Sequence, residues 1–516
     1  MLDQSQTPIL SALQSSSRRP HAAFYAPGHK RGQGASPRLR ELLGAAALAA
    51  DLPELPELDN LFAPEGVILK AQELAAEAFG TAGPEGPVSD HRTYFLANGS
   101  TCGIEAAILA TCGPGEKIIV PRNAHRSVIA GLVLSGAMPI FVAPEYSSEL
   151  GLALGVKAEA IAATLDHHPD ARAILLVSPT YHGICSDVGA IAALAHHHGI
   201  PLLIDEAHGP HFAFHPDLPA SALALGADLV VQSTHKVLGA LSQAAMLHTQ
   251  GNRIERSRLQ AALQLTQSTS PNSLLLASLD AARHQMATEG KALLSETLTL
   301  AQHLRTELAT IPGLRVIDKP AVTAFSSVSD LDLTRLTVDV SGLGITGLKV
   351  DEILHEELGV TVELPELRHL TLIISLGNTV ADGQRCIAGL RSLSKRCAPQ
   401  SLAERSAKQS LSVETWHQPT SGYADTLFTL PQVSPREAFF AATETVGAEA
   451  ALGRISADTI SAYPPGIPAI VAGEMIGKGA IAHLTAIKQQ GGYITGGDAP
   501  EKFRVLAQKQ PQSVPR

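Results

Sequence analysis

The sequence is poor in cysteine, aromatic residues and charge, and it has no long hydrophobic run. Its 516 residues include five cysteines, and aromatic and charged residues make up 4% and 17% of the chain. An odd number of cysteines without paired spacing disfavours a disulfide framework and indicates a reducing compartment. No run of about 18 apolar residues predicts a membrane span, and residues 1–20 lack the apolar core of a signal peptide. The chain is therefore predicted to be cytoplasmic.

Positive charge is also scarce. The 39 lysine and arginine residues are outnumbered by 49 acidic residues, which gives a formal net charge of −10. Because proteins bind phosphate backbones with clustered basic side chains, a nucleic-acid partner is not expected. Hydrophobic residues reach 45%, and a chain of this length is expected to form two or three domains with large buried cores.

Short apolar runs recur between residues 116 and 232, and each ends in polar or turn residues. They are KIIVPR, MPIFVAP, AILLVSPT, PLLIDEAHG and ADLVVQSTH. Runs of this length predict strands buried on both faces of a parallel sheet, and the helical patterns between them predict βαβ crossovers. Ligands of such sheets bind beyond the carboxyl ends of the strands. The polar residues that end these strands are therefore the candidates for chemistry.

Changes of texture along the chain predict its organisation. After about residue 312 the pattern is strand, turn, helix, strand, strand, and a polar, irregular stretch precedes a tail with a helical pattern and the rigid segment YPPGIP. We predict an N-terminal segment at 1–60, a large α/β domain at 61–311, a small α+β domain at 312–395, a linker at 396–430 and a C-terminal domain at 431–516.

Three strand ends carry candidate functional groups. Gly99, Ser100 and Thr101 follow the run TYFLAN and open a helix, whose N-terminal N–H groups favour an anion. Taken alone, such a turn is more often an ordinary N-cap. Asp205 ends the run LLID, and a carboxylate there usually caps a helix or pairs with a cation, although it can equally hold a protonated ring nitrogen.

Lys236 follows the third run, with Ser233 and His235 beside it. A single lysine is usually an exposed residue with a partly buried stem. A desolvated lysine, however, has a lowered pKa and becomes nucleophilic, which is the route to Schiff-base chemistry. An anion cradle, an acid and a lysine at strand ends are together the three groups that pyridoxal 5′-phosphate needs.

The segment VQSTHKVLGALSQAA (231–245) resembles the pyridoxal-phosphate attachment signature of the ornithine/lysine/arginine decarboxylase family. Other segments resemble that family in the same order along the chain: AAFYAPGHKRG (22–32), TYFLANGST (93–101), PRNAHRS (121–127), STSPNSLLLASLDAAR (268–283) and ISAYPPGIPAIVAGE (460–474). The resemblance implies an aminotransferase-like fold (fold type I). The cofactor-binding large domain would have a mostly parallel sheet, and a small α+β domain and a C-terminal decarboxylase-type domain would follow.

The resemblance also implies roles for individual residues. Lys236 would form the Schiff base with the cofactor, Asp205 would hold its ring nitrogen, and His125 would stack on the ring. His208, three residues after Asp205, would approach the ring hydroxyl. The implied phosphate ligands are Gly99, Ser100, Thr101, Ser233, His235 and, reaching into a neighbouring subunit, Thr269 or Ser270.

The implied reaction is decarboxylation of a basic amino acid in polyamine biosynthesis. Arginine to agmatine is favoured, followed by lysine to cadaverine and ornithine to putrescine. Glu474 and, with a weaker claim, Glu363 are candidates to bind the distal cation of the substrate. Lys236 and His235 are both candidates to donate the proton to Cα. The chain begins almost at the PGHK segment and resembles the short, wingless members, so we expect a homodimer or a higher homo-oligomer.

Two other readings remain open. An aminotransferase or carbon–sulfur lyase of the same fold would share Asp205 and Lys236, and assays of CO2 against keto-acid formation separate it from a decarboxylase. A catalytically silent homologue would purify colourless and reject added cofactor. The histidines at 167–168 and 196–198 are predicted to be surface residues, because consecutive histidines on a helix diverge, and no metal is expected.

Overall fold

A seven-stranded sheet carries the polar strand ends. The computed structural model describes residues 2–80, 82–83, 86–87, 90–397, 431–463, 467–489 and 491–508. The strands of the sheet are β1 (Arg92–Leu96), β2 (Lys117–Pro121), β3 (Met138–Val142), β4 (Ala171–Val177), β5 (Leu202–Asp205), β6 (Leu229–Gln232) and β7 (Ala245–Thr249). Their order in the sheet is β1-β7-β6-β5-β4-β2-β3. Only β7 in this sheet runs antiparallel to its neighbours.

The central strands are apolar on both faces because helices cover both sides of the sheet. Leu203 packs in one core with α4 (Gly99–Thr111) and α5 (Arg126–Ser135). Its neighbour Ile204 packs in another core with α6 (Ala158–His167) and α7 (Val188–His197). The predicted α/β fold with a mostly parallel sheet is thereby confirmed.

A smaller antiparallel sheet forms the second unit. Its strands are β8 (Arg315–Val316), β9 (Arg335–Asp339), β10 (Leu364–Pro365) and β11 (His369–Ile373), in the order β8-β9-β11-β10. Its helices are α11 (Lys319–Thr323), α12 (Gly347–Leu358) and α13 (Val380–Cys397). The end of the long helix α10 (Ser273–Ala309) contributes Leu300 and Leu304 to its core, so one helix joins the two units.

A two-stranded ribbon also joins the units close to the carboxyl end of the large sheet. Asp330–Leu331 pairs antiparallel with Ile184–Cys185, and the N–H of Asp332 donates to the carbonyl of Gly183 at 2.8 Å. The ribbon therefore brings residues 330–335 against the loop that follows β4.

The C-terminal unit has its own small core. Its strands are β12 (Thr443–Gly447), β13 (Ile460–Tyr463), β14 (Pro468–Ile470), β15 (Tyr493–Thr495) and β16 (Lys502–Leu506), and its helices are α14 (Pro435–Phe440), α15 (Ala448–Ala451) and α16 (Lys478–Gln489). Ile470, Leu484 and Phe503 lie in this core. The predicted linker lies outside the described residues from position 398, as do residues 464–466 of YPPGIP, and the domain limits stay predictions.

The N-terminal helices pack on the large unit. They are α1 (Pro8–Arg18), α2 (Pro37–Ala50) and α3 (Val67–Phe79), and α8 (Thr234–Val237) and α9 (Arg256–Thr266) complete the helices of that unit. The short elements are Pro56–Leu58, Ala82–Gly83, Gly86–Pro87, Tyr146–Ser147, Leu152–Ala153, Phe212–Phe214 and Ser341–Leu343. Among the described residues no helix combines the length and the apolar composition needed to span a bilayer.

Candidate active site

Lys236 lies in a half-buried position beyond the carboxyl end of β6. It belongs to the single turn α8, and its Nζ is hydrogen-bonded to Nε2 of His208 at 2.9 Å. The same Nζ lies 5.4 Å from the ring centroid of Tyr181. Burial lowers the pKa of Lys236, and the nearby carboxylate of Asp205 opposes this effect. The environment therefore favours the uncharged, nucleophilic amine more than water does.

His208 follows β5 and is held as a neutral ring. Burial, followed by the positive charge of Lys236, keeps the pKa of His208 well below its usual range. Its Nε2 is hydrogen-bonded to Lys236, whereas its buried Nδ1 has no hydrogen-bond partner in the part of the chain that the structure describes. The ring packs against Tyr181 with a centroid separation of 4.5 Å.

Asp205 is the last residue of β5 and is only 5% exposed. Its Oδ1 accepts the N–H of Ala207 at 3.1 Å. Burial raises the pKa of Asp205, while the charge of Lys236 lowers it. A buried carboxylate needs a cationic partner or several hydrogen bonds to remain ionised, so Asp205 is suited to bind a cationic ring nitrogen.

The turn before α4 forms an open anion cradle. Gly99 adopts φ +78°, and a Cβ atom built there would have the carbonyl oxygen of Gln243 as its nearest neighbour, at 3.8 Å. Ser233 Oγ donates to Ser100 Oγ at 2.7 Å, which brings hydroxyls from two strand ends together. Thr101 is exposed in the first turn of the helix. Hydroxyls at the N-terminus of a helix of this length suit a phosphate group.

His125 is the N-cap of α5, and its Nδ1 accepts the N–H of Ser127 at 3.2 Å. Burial, followed by the charges of Lys236 and Arg126, lowers the pKa of His125 to about 4. The ring is therefore neutral at physiological pH and lies within electrostatic reach of Lys236. A neutral imidazole in this position is suited to stack on a planar ligand.

The remaining predicted cofactor residues lie around this cluster. His235 Nδ1 is bound to the carbonyl of Ala244 at 2.9 Å. The loop after α9 approaches the cradle in the same chain, because the N–H of Ser268 donates to Oδ1 of Asn98 at 3.1 Å. Thr269 and Ser270 follow in this loop and are exposed. Their predicted contact with a neighbouring subunit stays a prediction.

The two acids predicted to bind substrate lie in different environments. Glu363 is exposed, and its charge acts on Lys236 and His235. Glu474, in contrast, is 1% exposed and accepts two hydrogen bonds from Arg122, at 3.1 and 2.9 Å, and one from the N–H of Val471. The carboxylate of Glu474 is therefore committed to a buried structural ion pair, which counts against its predicted role in binding the distal cation of the substrate.

Sequence reasoning missed two residues of this site. Tyr181 lies in SPTYHG, which follows β4, so its position after a strand of the parallel sheet was a usable signal. Arg335 belongs to β9 of the small sheet, and its Nη2 donates to the carbonyl of His208 at 3.2 Å. No local pattern in the sequence indicates that contact.

The donor set fits pyridoxal 5′-phosphate. Four groups lie at strand ends of the large sheet. The open cradle of hydroxyls follows β1 and β6, and the neutral His125 follows β2. The buried carboxylate of Asp205, which accepts one hydrogen bond from its own loop, ends β5, and the desolvated amine of Lys236 follows β6. Within the described ranges no group of three or more histidine, cysteine or acidic side chains is arranged to hold a metal ion, so no metal centre is assigned there.

Comparisons with known proteins show which family the chain resembles. Family models described as Orn/Lys/Arg decarboxylase, major domain, and Orn/Lys/Arg decarboxylase, C-terminal domain, match residues 7–382 and 423–496. An arginine decarboxylase of Bacillus subtilis (strain 168) is 38% identical over 483 residues, which are 94% of this chain and 94% of that protein.

Solved structures show the same fold. The constitutive lysine decarboxylase of Escherichia coli has a TM-score of 0.80 at 22% identity, covering 98% of this chain and 82% of that chain. A ureidoglycine–glyoxylate aminotransferase of Bacillus subtilis has a TM-score of 0.54 at 15% identity, covering 73% of this chain and 94% of that chain.

The sheet, the strand-end lysine and the acid beside it define an enzyme of the aminotransferase-like fold. Within that class, the chain belongs to the Orn/Lys/Arg decarboxylase family, and it is a decarboxylase. The resemblance on which the sequence analysis relied is confirmed.

Proposed function

We propose that this enzyme uses pyridoxal 5′-phosphate to decarboxylate a basic amino acid, with arginine favoured over lysine and ornithine. The observation that carries the proposal is the partly buried Lys236–His208 pair at 2.9 Å, close to Asp205 and to the hydroxyl cradle. The 38% identity to an arginine decarboxylase over nearly the whole chain supports the choice of substrate. Agmatine would then be the product, for use in polyamine synthesis.

Each group of the site has a proposed task. Lys236 would bind the cofactor aldehyde covalently, and Ser100, Thr101 and Ser233 would bind its phosphate with the N-terminus of α4. Asp205 would keep the ring nitrogen protonated, and His125 would cover the ring. The bound cofactor supplies an electron sink for the bond between Cα and the departing carboxylate.

His208 is proposed to keep the amine of Lys236 in place. Its neutral ring is hydrogen-bonded to that amine through Nε2 at 2.9 Å, which fixes the direction of the Lys236 side chain. His235 is the other proposed proton donor to Cα. The hydrogen bond between its Nδ1 and Ala244 fixes the ring but leaves Nε2 without an assigned role.

Glu363 is proposed to bind the distal cation of the substrate. It is exposed, and its charge acts on Lys236, His235 and Arg335, which supports a position at the rim of the Lys236 site. A carboxylate at the rim can pair with a guanidinium or an ammonium without leaving a buried charge when the substrate departs.

The proposal includes a homodimer in the cytoplasm. Large apolar side chains are left uncovered in the single chain: Phe24 is 94% exposed, and Leu42 and Leu265 are each 79% exposed. Burial of such side chains against a second copy would remove apolar area from water. Thr269 and Ser270 would then be available to the neighbouring site.

The decisive experiment offers equal concentrations of arginine, lysine and ornithine to the purified enzyme with added cofactor. We expect CO2 and agmatine in equal amounts, with arginine consumed first. Keto acid without CO2 would instead identify an aminotransferase. Bound cofactor with no turnover of any of the three would identify a silent homologue.

The Glu363→Gln variant tests the substrate end of the cleft. Loss of an exposed ion pair should raise KM for arginine by about fivefold and leave kcat nearly unchanged. Glu356→Gln, on the exposed face of α12, is the matched control and should change neither constant. An unchanged KM in Glu363→Gln would remove Glu363 from substrate binding.

A further inference from the structure

A buried ion network lies behind the Lys236–His208 pair. His211 comes from the loop after β5, whereas Asp332 and Arg335 come from the start of the small unit, and all three are at most 1% exposed. His211 Nε2 lies 3.1 Å from Asp332 Oδ2, which in turn lies 3.8 Å from Arg335 Nε. Arg335 Nη2 then donates to the carbonyl of His208. The network thus connects the small unit to the partner of Lys236.

The backbone holds this network tightly. Thr334 donates through its N–H and its Oγ1 to Asp332 Oδ1, at 2.9 and 2.7 Å. Gly183, at φ +82°, lies so close to Arg335 that an added Cβ would lie 2.7 Å from the Cβ of that arginine. Arg335 is therefore fixed beneath the loop that carries Tyr181.

The hydrogen bonding of Arg335 is incomplete. Its Nε and Nη1 are buried and have no hydrogen-bond partner among the described residues. Arg305, a buried arginine of α10, instead donates through all three nitrogens to the carbonyls of Leu333, Ile317 and Arg335. A buried cation is costly unless it is fully paired, so a purely structural role does not account for Arg335.

We infer that Arg335 is a positioning residue for Lys236. It fixes the backbone of His208 and places a positive charge behind the Lys236–His208 pair. Asp332 neutralises this charge only in part, because its carboxylate also binds His211 and Thr334. This charge adds to the effect of burial, which disfavours the protonated forms of the His208 ring and of the Lys236 amine. The inference rests on the proposed function, in which that amine is the nucleophile.

The charges around the pair act in the direction that this role requires. Burial is the main cause of the lowered pKa of Lys236; Arg335 lowers it further, and Asp205 and Glu363 oppose it. His208 is surrounded by Lys236, Arg335, His125 and His182, all of which lower its pKa in addition to burial. Arg335 is the one permanent cation in both groups.

The test measures the amine itself, without cofactor or turnover. Competitive acetylation of the apoprotein, followed by mass spectrometry, gives the labelling rate of Lys236 against pH, with exposed Lys502 as the internal reference. In Arg335→Met the labelling midpoint of Lys236 should move to higher pH, and labelling at neutral pH should fall by about fivefold. Arg335→Lys should restore most of the labelling.

Two further variants keep the test decisive. Arg305→Met removes a buried arginine of the same size, so it should lower the melting temperature and leave the labelling midpoint of Lys236 in place. Asp332→Asn removes the partial neutralisation of Arg335, so its midpoint should move to lower pH, opposite to Arg335→Met. This variant decides the matter if Arg335→Met does not fold.

The inference would be overturned if the labelling midpoint of Lys236 did not move in folded Arg335→Met. An equal upward shift of this midpoint in Arg305→Met would also overturn it. So would an upward shift, or no shift, in Asp332→Asn. Product analysis is a separate measurement. Failure to decarboxylate basic amino acids would refute the proposed function and leave the labelling result valid. A labelling result that contradicts the role of Arg335 would leave the proposed function valid.

Discussion

Arg122 and Glu474 form one buried ionic cluster of this chain, and Lys236 with Asp205 and His208 forms another. The guanidinium of Arg122 binds both oxygens of Glu474 and also the carbonyls of Pro468 and Ala469. Lys236, in contrast, makes one side-chain hydrogen bond within the described residues, to His208. Both clusters remove charge from water, but the first is hydrogen-bonded almost completely and the second is not.

This difference distinguishes charged groups that stabilise the fold from charged groups that still have the capacity to bind a ligand. The Arg122–Glu474 pair connects β2 of the large sheet to the C-terminal unit, and its 1% and 2% exposed side chains are inaccessible to a substrate. Around Lys236 the unmet bonding capacity lies beside a cradle of hydroxyls. Burial without saturation is the physical mark of a site, since such groups gain the most when a complementary ligand binds.

The largest effect is expected at the unsaturated cluster. Lys236→Ala removes the proposed covalent anchor of the cofactor, and kcat/KM should fall by at least about 10³-fold. The melting temperature of the apoprotein should stay the same or rise, because a buried amine is removed. Steady-state CO2 release and calorimetry measure the two quantities.

Lys349→Ala is the control for that experiment, because Lys349 is exposed and forms an ion pair with Glu352 on its own helix. It should retain full activity. A Lys236→Ala enzyme within tenfold of the parent would break the comparison, since Lys236 would then be a structural residue like Arg122.

The saturated cluster should respond in stability instead. Glu474→Gln removes the negative charge that pairs with buried Arg122, and the free energy of unfolding should fall by about 3 kcal/mol. The folded variant should keep its KM for basic substrates, because the carboxylate of Glu474 is buried against Arg122 and inaccessible to a substrate. Urea unfolding followed by circular dichroism, together with KM, measures both effects.

Two variants calibrate this result. Glu449→Gln alters an exposed acid of the same unit and should leave stability unchanged. The double variant Arg122→Met with Glu474→Leu should recover much of the lost stability, because an apolar pair needs no charge compensation. A stable Glu474→Gln with a raised KM would restore the original substrate role of this acid.

The large-unit site was predictable because parallel strands present their carboxyl ends at one edge. Asp205 and Lys236 lie 31 positions apart in sequence, yet β5 and β6 are neighbours with Asp205 in register with Val231. A rule about strand ends therefore brings the acid and the lysine together without knowledge of the tertiary structure.

The errors occurred where the partner is remote and no periodic rule connects the two positions. Glu474 does not follow a strand of the parallel sheet, and its partner Arg122 lies in another unit of the chain. Arg335 reaches His208 through the ribbon at Asp330–Leu331, a two-residue pairing too short to leave a pattern in sequence.

The smallest predicted effect concerns His125, whose ring lies within electrostatic reach of Lys236. It sharpens the comparison, because it measures how much the burial of this ring lowers the free energy of unfolding. The pKa of His125 is about 4 in the folded chain and about 6.5 when it is unfolded. Between these values the unfolded chain binds the additional proton, so stability is lost as pH falls through this window. His125→Asn keeps an acceptor for the N–H of Ser127 but does not titrate, so the slope of unfolding free energy against pH should decrease by about 1 kcal/mol per pH unit. Urea titrations of the apoprotein measure this slope, and exposed His167→Asn should leave it as in the parent; an equal change in both variants would mean that the site carries no special cost.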